Sequence, residues 1–273
     1  MCCVMVDVVL LTKNSLSSVG ERILKLCLRS LYLNVPVHRL IVVDGGSTDG
    51  TVEFVSRYPR VEVVYDYGTR ATARCLGLRL CDCEYVLFLD CDVVLCRDWF
   101  RRAFRYFSNS RVGAVEGYPL HIVSSGEYRF AVARSRFRGI FRSELVEGKR
   151  AFTGDTLIRK VAVEGISIPS YLHVYEDEYI RCWVESRGFL WLKVRDPYCY
   201  HFTQYYRPID GYYSGYVLAK RRGVSAISLL RSTVLDILLS PAALSLRDMS
   251  RILRYDIEKL RGVLYAKLKE RSS

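Results

Sequence analysis

The chain has 273 residues, half of them hydrophobic, and this composition excludes an intrinsically disordered protein. Lys and Arg outnumber Asp and Glu by 41 to 29, a formal net charge of +12 that favours anionic partners such as nucleotides, phospholipid headgroups or nucleic acid. A chain of this length can bury one large core or two modest ones, so we expect one main domain with an appendage.

The ten cysteines are scattered singly or in pairs and never form a CxxC pattern. Cys83 and Cys91 flank an apolar run typical of a buried strand, so we interpret cysteine as a small core residue in a reducing cytosol. A zinc site is the alternative. The sequence opens into a strand pattern at Val6 without a basic leader and cleavage site, so we expect no signal peptide and a cytoplasmic location.

The first hundred residues alternate β-branched runs with helical patterns, as the βαβ units of a mostly parallel sheet do. The predicted strands are Val6–Leu11, Leu40–Val43, Val61–Tyr65 and Tyr85–Leu89, and the predicted helices are Glu21–Leu33, Thr51–Tyr58 and Ala71–Leu80. In open α/β sheets the ligand binds beyond the carboxyl ends of the strands. The residues at those ends, which become the first candidates for a site, are Asn14, Asp44, Asp66, Asp90 and Asp92.

The remainder of the chain is less regular until its last third. An arginine-rich stretch, Arg129–Arg142, has a helical pattern, and a helix over Glu176–Arg187 is followed by a strand over Phe189–Val194. From Tyr205 to the end, 13 Lys and Arg against 6 Asp and Glu leave a local charge of +7. Two amphipathic helical patterns, interrupted at Pro241, occupy this tail.

The strongest chemical signal is the segment YVLFLDCD, an apolar strand that ends in Asp90 and Asp92. Carboxylate oxygens are natural ligands for Mg²⁺ or Mn²⁺, which usually also bind substrate phosphates. The alternative is a solvated turn after a strand. A second segment, IVVDGGSTDGT, ends a strand in Asp44, and its Gly45–Gly46 turn allows the backbone to approach a ligand. An ordinary βα turn with a helix cap would look the same.

Together the two segments resemble the inverting family 2 glycosyltransferases of the GT-A fold. The resemblance implies an α/β fold with a mostly parallel central sheet, a nucleotide diphosphate sugar as donor, and Mn²⁺ or Mg²⁺ as cofactor. The stretch GTRATARCLGL is similar to a helix of the family, although Cys75 stands where asparagine is common. The residues expected on the donor side are Thr12, Asn14, Asp44, Gly45, Asp49, Arg70, Arg74, Asp90 and Arg207.

The resemblance also implies metal and acceptor residues. Asp90, Asp92 and His201 are the implied metal ligands, although a histidine after an aromatic-rich strand is equally typical of a packed side chain. The segments GDTLIRK and HVYEDEYIRCWVESRGFLWLKVRDPYCYHF are similar to the family's acceptor side, with Gly154, Asp155 and Glu176 as candidates.

The family's general base maps onto Asp177, with Glu176 and Glu178 as rivals. A base on the face opposite the leaving diphosphate implies single displacement with inversion. The stretch QYYR, ending in Arg207, resembles the QxxRW signature of processive members, but Pro208 replaces the tryptophan. This departure argues against a polymerising synthase.

The expected domains are a catalytic domain, 1–205, and a basic amphipathic helical tail, 206–273. The catalytic domain would comprise a donor half, 1–95, and an acceptor half, 96–205. Basic amphipathic helices often lie in the interface of a membrane, although most amphipathic helices pack against their own protein. Attachment to the cytoplasmic face of an anionic membrane would suit a lipid-linked acceptor such as a polyprenyl or dolichyl phosphate. No nucleic acid is expected.

Two other classes of protein compete with this interpretation. A sugar-phosphate nucleotidyltransferase would normally carry a Gly-rich phosphate loop after the first strand, where this chain has Thr12, Lys13 and Asn14. A non-catalytic nucleotide- or membrane-binding protein on the same scaffold would not need the acids at Asp92 and Asp177. Both alternatives are therefore less favoured than a transferase.

Overall fold

The computed structural model describes residues 4–136, 151–202, 207–222 and 226–271. The chain divides into two compact units. The sheet unit comprises residues 1–122, 151–171 and 176–202, and the helical unit comprises residues 123–150, 172–175 and 203–273. The helical unit therefore includes residues 123–150 and 172–175 from the middle of the chain as well as the C-terminal residues.

The sheet unit is built on eight strands. In chain order they are β1 Val6–Thr12, β2 Val37–Asp44, β3 Val61–Tyr65, β4 Tyr85–Asp90, β5 Val93–Leu95, β6 Val112–His121, β7 Asp155–Arg159 and β8 Leu190–His201. Their order in the sheet is β3-β2-β1-β4-β7-β6-β8-β5. Strands β3, β2, β1 and β4 pair in parallel. Strand β7 runs antiparallel to β4 and β6, and β6 pairs in parallel with β8. This mixed α/β architecture confirms the predicted fold class.

The helices complete the two units. They are α1 Ser15–Ser18, α2 Glu21–Asn34, α3 Thr51–Val55, α4 Arg70–Leu80, α5 Trp99–Phe104, α6 Ser125–Arg136, α7 Glu176–Ser186, α8 Pro208–Arg222, α9 Ala226–Leu239 and α10 Leu246–Arg271. All four predicted strands and all three predicted helices of the first hundred residues are present. Two arginines of the predicted middle helix, Arg138 and Arg142, lie outside the described residues.

The core of the sheet unit follows from the sequence periodicity. The apolar face of α2 presents Leu24, Cys27, Leu28 and Leu31, all fully buried, towards the sheet. Burial of each such leucine contributes roughly 1.5–3 kcal/mol relative to its exposure in water. Every described cysteine is a free thiol, and five of the eight are buried, as the expectation of small core residues requires.

The middle of the chain contains two strands that the irregular pattern did not predict, β6 and β7. Glycine weakens the strand signal of β6, yet close packing requires it at two positions. A Cβ at Gly113 would lie 2.6 Å from the Cβ of Phe189, and one at Gly117 would lie 2.0 Å from a carboxylate oxygen of Asp155. Strand β8 also extends beyond its predicted end at Val194, because its second half pairs with β5 and with the end of β6.

In the helical unit, two helices pack closely against each other at glycine residues. A Cβ at Gly215 of α8 would lie 1.9 Å from the carbonyl oxygen of Lys259, and one at Gly262 of α10 would lie 2.0 Å from that of Tyr212. The backbones of α8 and α10 therefore touch where a larger side chain would separate them. Among the described residues, no helix is both long enough and apolar enough to cross a bilayer.

Candidate active site

The register of the sheet brings candidate residues to one edge. Thr12 at the end of β1 pairs with Asp44 at the end of β2, and Leu11 pairs with Asp90 at the end of β4. Strand β7 runs in the opposite direction and begins at this edge, where Asp155 pairs with Leu89. The structure thus assembles four sequence-predicted residues, Thr12, Asp44, Asp90 and Asp155, along adjacent strand ends.

Asp44 is fully buried and organises the loop after β2. Its Oδ2 accepts hydrogen bonds from the hydroxyls of Thr12, at 2.7 Å, and Ser47, at 2.5 Å. Its Oδ1 accepts from the backbone amides of Gly46, at 2.9 Å, and Ser47, at 2.6 Å. The positive φ of Gly46, 84°, is the left-handed conformation that glycine permits in this turn. The preceding residue, Gly45, packs against the side chain of Lys13.

The loops after β1 and β2 are joined by polar side chains. The Oδ1 of Asn14 accepts from the amide of Thr48 at 2.8 Å, and the amide of Asn14 donates to Ser47 at 2.7 Å. The carboxylate of Asp49 accepts from the hydroxyl of Thr51 at 2.6 Å and from the amide of Ser17 at 2.8 Å. Burial alone would raise the pKa of Asp49, but these hydrogen bonds outweigh it and lower the pKa, so the carboxylate is ionised at neutral pH.

Arg74 links the end of β4 to the start of α7. Its guanidinium lies over the ring of Phe88, 4.9 Å from the centroid. Its Nη2 donates to Asp90 at 3.3 Å and its Nε donates to Glu176 at 3.4 Å. Only 4% of its side chain is exposed, against 30% for Asp90 and 6% for Glu176. The described hydrogen bonds of Arg74 therefore go to protein carboxylates. This suits a role in positioning those carboxylates, in addition to the predicted role in donor binding.

Asp92 faces His201, the last residue of β8. The Oδ2 of Asp92 lies 3.4 Å from the Nε2 of His201. Burial lowers the pKa of His201, but the carboxylates of Asp92 and then Asp90 outweigh it, and the pKa is raised. Metal–ligand bonds to His nitrogen and carboxylate oxygen measure about 2.0–2.2 Å, so one cation can contact both atoms at this separation.

Asp92 and His201 therefore fit a divalent cation. Asp92 is 23% exposed and so is accessible to a ligand. In the described part of the chain the three predicted ligands do not gather within 4.8 Å of one another. Asp90 instead faces Arg74, and one residue, Cys91, separates it from Asp92 along the chain.

Three consecutive acids begin α7 and have different partners. Glu176 is paired with Arg74, and Glu178 accepts from the Nη2 of Arg181 at 2.8 Å. Asp177 is 8% exposed, and its Oδ1 accepts from the amide of Glu178 at 2.8 Å. The N-terminal turn of a helix stabilises negative charge through the helix dipole. Which of the three acids serves as a base stays a prediction, with Asp177 as the residue that the resemblance implies.

Asp155 lies beneath the site. It is fully buried, its Oδ2 accepts from the indole of Trp99 at 3.3 Å, and burial raises its pKa to about 8. The preceding Gly154 accepts a backbone hydrogen bond from Asp90 and has no room for a side chain beside Phe152. This placement suits support of the strand ends better than direct contact between Asp155 and an acceptor.

Arg70 and Arg207 complete the set of predicted donor-side residues. Arg70 is the first residue of α4 and is partly exposed. Arg207 belongs to the helical unit, where its Nε lies 3.7 Å from Asp210. Sequence reasoning missed Glu116 in β6, a buried acid that accepts from the indole of Trp191 at 2.8 Å. The signal was hidden because β6 itself was not predicted.

Comparison with known proteins agrees with this geometry. The family model described as glycosyl transferase family 2 matches residues 7–166, more than half of the chain. The chain belongs to glycosyl transferase family 2. It is therefore a glycosyltransferase, and the resemblance seen in the sequence is confirmed. A search of curated proteins finds no match.

Solved structures share the fold of this family 2 glycosyltransferase. The mannosyltransferase PcManGT from Pyrobaculum calidifontis, in complex with GDP-Man and Mn²⁺, is 18% identical. The alignment covers 96% of this chain and 87% of that one, with a TM-score of 0.59. S. aureus TarS 1–349 is 15% identical over 98% of this chain and 92% of that one, with a TM-score of 0.57. Its complex with UDP-GlcNAc is 16% identical over 97% and 92%, with a TM-score of 0.56.

Proposed function

We propose that this enzyme transfers a sugar from a UDP- or GDP-linked donor to an acceptor by metal-assisted single displacement with inversion. The observation that carries the proposal is the arrangement of acids in the sheet unit. Asp90 ends β4 and Asp92 lies in the turn that follows, while Asp177 stands on a separate element, the first turn of α7. One group of acids thus serves the donor, and another is available to the acceptor. The GDP-Man and UDP-GlcNAc in the names of the similar structures support a nucleotide sugar as donor.

The donor side would use the strand-end residues. Asp92 and His201 would hold Mn²⁺ or Mg²⁺, and Asp90 would lie beside the ion and the ribose. When bound, the cation supplies the positive charge that neutralises the leaving diphosphate. The Mn²⁺ named with the Pyrobaculum calidifontis enzyme supports this assignment. The hydrogen-bonded loops around Asp44 and Asp49 would form the floor of the nucleotide pocket.

The acceptor side would use Asp177 as general base. An acceptor hydroxyl is a weak nucleophile and needs a carboxylate within hydrogen-bond reach to remove its proton. The hydroxyl oxygen then bonds to the anomeric carbon as the bond to the diphosphate breaks on the opposite face. A single displacement from the far side inverts that carbon and requires no covalent enzyme intermediate.

The test is a panel of nucleotide sugars with and without Mn²⁺, run on the wild-type enzyme and on Asp177→Asn. We expect transfer with at least one UDP- or GDP-sugar in the presence of Mn²⁺. Asp177→Asn should keep donor affinity and lose about 10²-fold or more in turnover. Glu185→Gln, at an exposed site on the same helix, is the matched control and should keep both.

Two results would revise the assignment of Asp177 as the general base, and a third would reject the donor class. Near-normal turnover of Asp177→Asn would move the base to Glu176 or Glu178, whose Gln variants would then be compared. Loss of donor affinity in Asp177→Asn would give the residue a structural or metal-binding role. Failure of every nucleotide sugar to support transfer would reject the proposed donor class.

We also propose that the helical unit attaches the enzyme to the cytoplasmic face of an anionic membrane. This unit buries several charged side chains and exposes many large apolar ones. Asp236, Asp256 and Lys259 are buried, at 3%, 1% and 6% exposure. Large apolar side chains are exposed, among them Leu230, Val234, Ile237, Leu238, Leu244, Leu246, Ile257, Leu264 and Leu268. The apolar faces predicted for the two tail helices comprise Leu230, Val234, Leu238, Ile257, Leu264 and Leu268 from this set, together with Leu253 and Leu260, which are half-buried, and Ile227, whose side chain is not among those described.

The charge of the tail complements such a surface. The exposed basic residues of α9 and α10 are Arg231, Arg247, Arg254, Arg261, Lys267 and Lys269. Each basic residue near an anionic surface contributes on the order of 1 kcal/mol, and the apolar side chains add a contribution proportional to the area they bury. An enzyme held at a membrane in this way would suit a lipid-linked acceptor such as a polyprenyl or dolichyl phosphate.

Co-sedimentation with phosphatidylserine vesicles tests the attachment. The wild-type chain should sediment with vesicles at low salt and be released by high salt or alkaline carbonate, because salt screens the charge interaction. Leu244→Gln/Leu246→Gln changes side chains that are 78% and 84% exposed, and should weaken binding about tenfold or more while leaving the fold intact. Leu26→Gln/Leu33→Gln, at exposed positions of α2, is the control and should bind normally.

The opposite outcome removes the membrane from the proposal. If the wild-type chain ignores vesicles, or if the Leu244 and Leu246 variant sediments like the control, the exposed side chains serve another purpose. The lipid-linked acceptor then loses its support. The glycosyltransferase assignment would not be affected, because it rests on the sheet unit.

A further inference from the structure

A second cluster of ligand-type side chains lies at the other end of the sheet from Asp90 and Asp92. Asp7 is the second residue of β1, His38 is the second residue of β2, and Cys83 stands just before β4. Parallel strands begin at the same edge, so the three residues meet there. One ligand atom from each lies within 4.8 Å of the other two.

The carboxylate of Asp7 is fixed in orientation. It is fully buried, and its Oδ2 accepts from the backbone amides of Asp82 at 2.6 Å and Cys83 at 2.9 Å. Its Oδ1 lies 2.9 Å from the Nδ1 of His38. Burial alone would raise the pKa of Asp7, but the amide of Cys83, the ring of His38 and the amide of Asp82 outweigh it and lower the pKa. One oxygen is thus anchored while the other, on an ionised group, faces the histidine.

We propose that Asp7, His38 and Cys83 bind Zn²⁺ or a related divalent transition metal. A set of one imidazole nitrogen, one thiolate and one carboxylate oxygen suits zinc, whereas Mg²⁺ prefers oxygen ligands alone. The side chain of His38 is 51% exposed and Cys83 is partly exposed, so ions can enter and a water can complete a tetrahedral set. The two amides on the outer oxygen of Asp7 are the kind of support that orients a metal ligand.

The charges around the cluster permit a cation. Arg39 approaches the Oδ2 of Asp7 to 3.9 Å, but its guanidinium is bound by Glu62 at 3.0 Å and Asp82 at 2.8 Å. The metal would replace the proton of the Cys83 thiol, whose pKa is raised to about 11 by burial and by the charge of Asp7. Zinc would then join the starts of β1 and β2 to the turn before β4, and ligand binding to the folded state stabilises it.

Metal titration of the intact chain tests the site. Calorimetry should find Zn²⁺ binding, and Co²⁺ should give the near-ultraviolet charge-transfer band of a metal–thiolate bond. Cys83→Ser should abolish that band, and His38→Gln should weaken binding tenfold or more. Cys182→Ser, an exposed cysteine on α7, is the control and should change neither measurement. Zn²⁺ should raise the melting temperature of the wild-type chain and of the control, but not that of Cys83→Ser.

The two substituted side chains are partly exposed, so both variants should fold, unlike a change at the buried Asp7. A Co²⁺–thiolate band that survives Cys83→Ser would place the metal at another cysteine and overturn the proposal. Full affinity in His38→Gln, or no thiolate band in the wild-type chain, would overturn it as well. Zinc bound by Asp92 and His201 would give no thiolate band and is thereby distinguished.

Discussion

Replacement of Arg74 by methionine should destabilise the sheet unit strongly. Methionine fills much of the same volume but leaves Glu176, 6% exposed, without its guanidinium. Removal of one partner from a buried ion pair typically costs about 3–5 kcal/mol, because the other charge stays buried and unpaired. The pair with Asp90 adds little, about 0–1 kcal/mol, because that carboxylate is 30% exposed and screened by water. We therefore expect Arg74→Met to lose about 3–5 kcal/mol of unfolding free energy.

Urea unfolding followed by tryptophan fluorescence is the assay. All three tryptophans, Trp99, Trp183 and Trp191, lie in the sheet unit, so the signal reports that unit alone. Arg79→Met, on the exposed side of the same helix, is the matched control and should change stability by no more than about 0.5 kcal/mol.

A second substitution tests whether the unpaired charge of Glu176 causes the loss of stability. Glu176→Gln added to Arg74→Met removes the unpaired charge, so the double variant should recover a large part of the lost stability. The coupling energy from the double-mutant cycle measures the interaction of the two residues. If Arg74→Met is as stable as Arg79→Met, or if Glu176→Gln brings no recovery, the assignment of Arg74 as the partner of a buried charge on Glu176 is wrong.

Three further predictions concern single residues. Asp92→Ala should abolish Mn²⁺-dependent binding of the nucleotide diphosphate in calorimetry while the fold is kept; unchanged metal-assisted binding would remove Asp92 from the metal site. Gly215→Val should lower the melting temperature of the helical unit in circular dichroism, because its Cβ would lie 1.9 Å from the carbonyl oxygen of Lys259; an unchanged melting temperature would contradict this close approach of the two backbones. Asp256→Asn should change how stability depends on pH, because burial and then the charge of Asp236 raise the pKa of Asp256 from 3.8 to about 7.

The sign of the pH effect follows from proton uptake. Between pH 4 and 7 the folded helical unit holds a proton on Asp256 that the unfolded chain has released, so stability falls as the pH rises through this range. Asparagine removes this dependence. Asp256→Asn should therefore gain stability relative to the wild-type chain at pH 8 compared with pH 5, and parallel pH profiles of the two proteins would contradict the raised pKa.

The sequence predicted the parts of the fold that depend on local pattern. Strands β1 to β4 are short runs rich in apolar and β-branched residues, and the acids after them mark the edge at which a ligand is expected. The family and fold class followed from these segments and are confirmed. The individual roles of Asp177, Asp92 and the donor-side residues stay predictions.

The sequence was less informative where structure depends on distant contacts. The bridge through Arg74 joins residues 16 and 102 positions away along the chain, and no local pattern connects them. Strand β6 was hidden by glycines whose necessity appears only when Asp155 and Phe189 are seen beside them. The sequence also left two uses open for the tail helices, because an amphipathic pattern indicates two faces but not which one is turned inward.

The hydrogen bonds between the loops after β1 and β2 have a consequence for selectivity. Asn14, Ser17, Ser47 and Asp49 join the two loops through hydrogen bonds. If these loops form the floor of the nucleotide pocket, as proposed, their hydrogen bonds would reduce the conformational entropy lost when a ligand binds, so more of the contact energy would appear as affinity. Such a floor also cannot reshape itself around a bulkier nucleobase. Discrimination among donors would then depend on steric fit in a preorganised recess rather than on closure of a mobile lid.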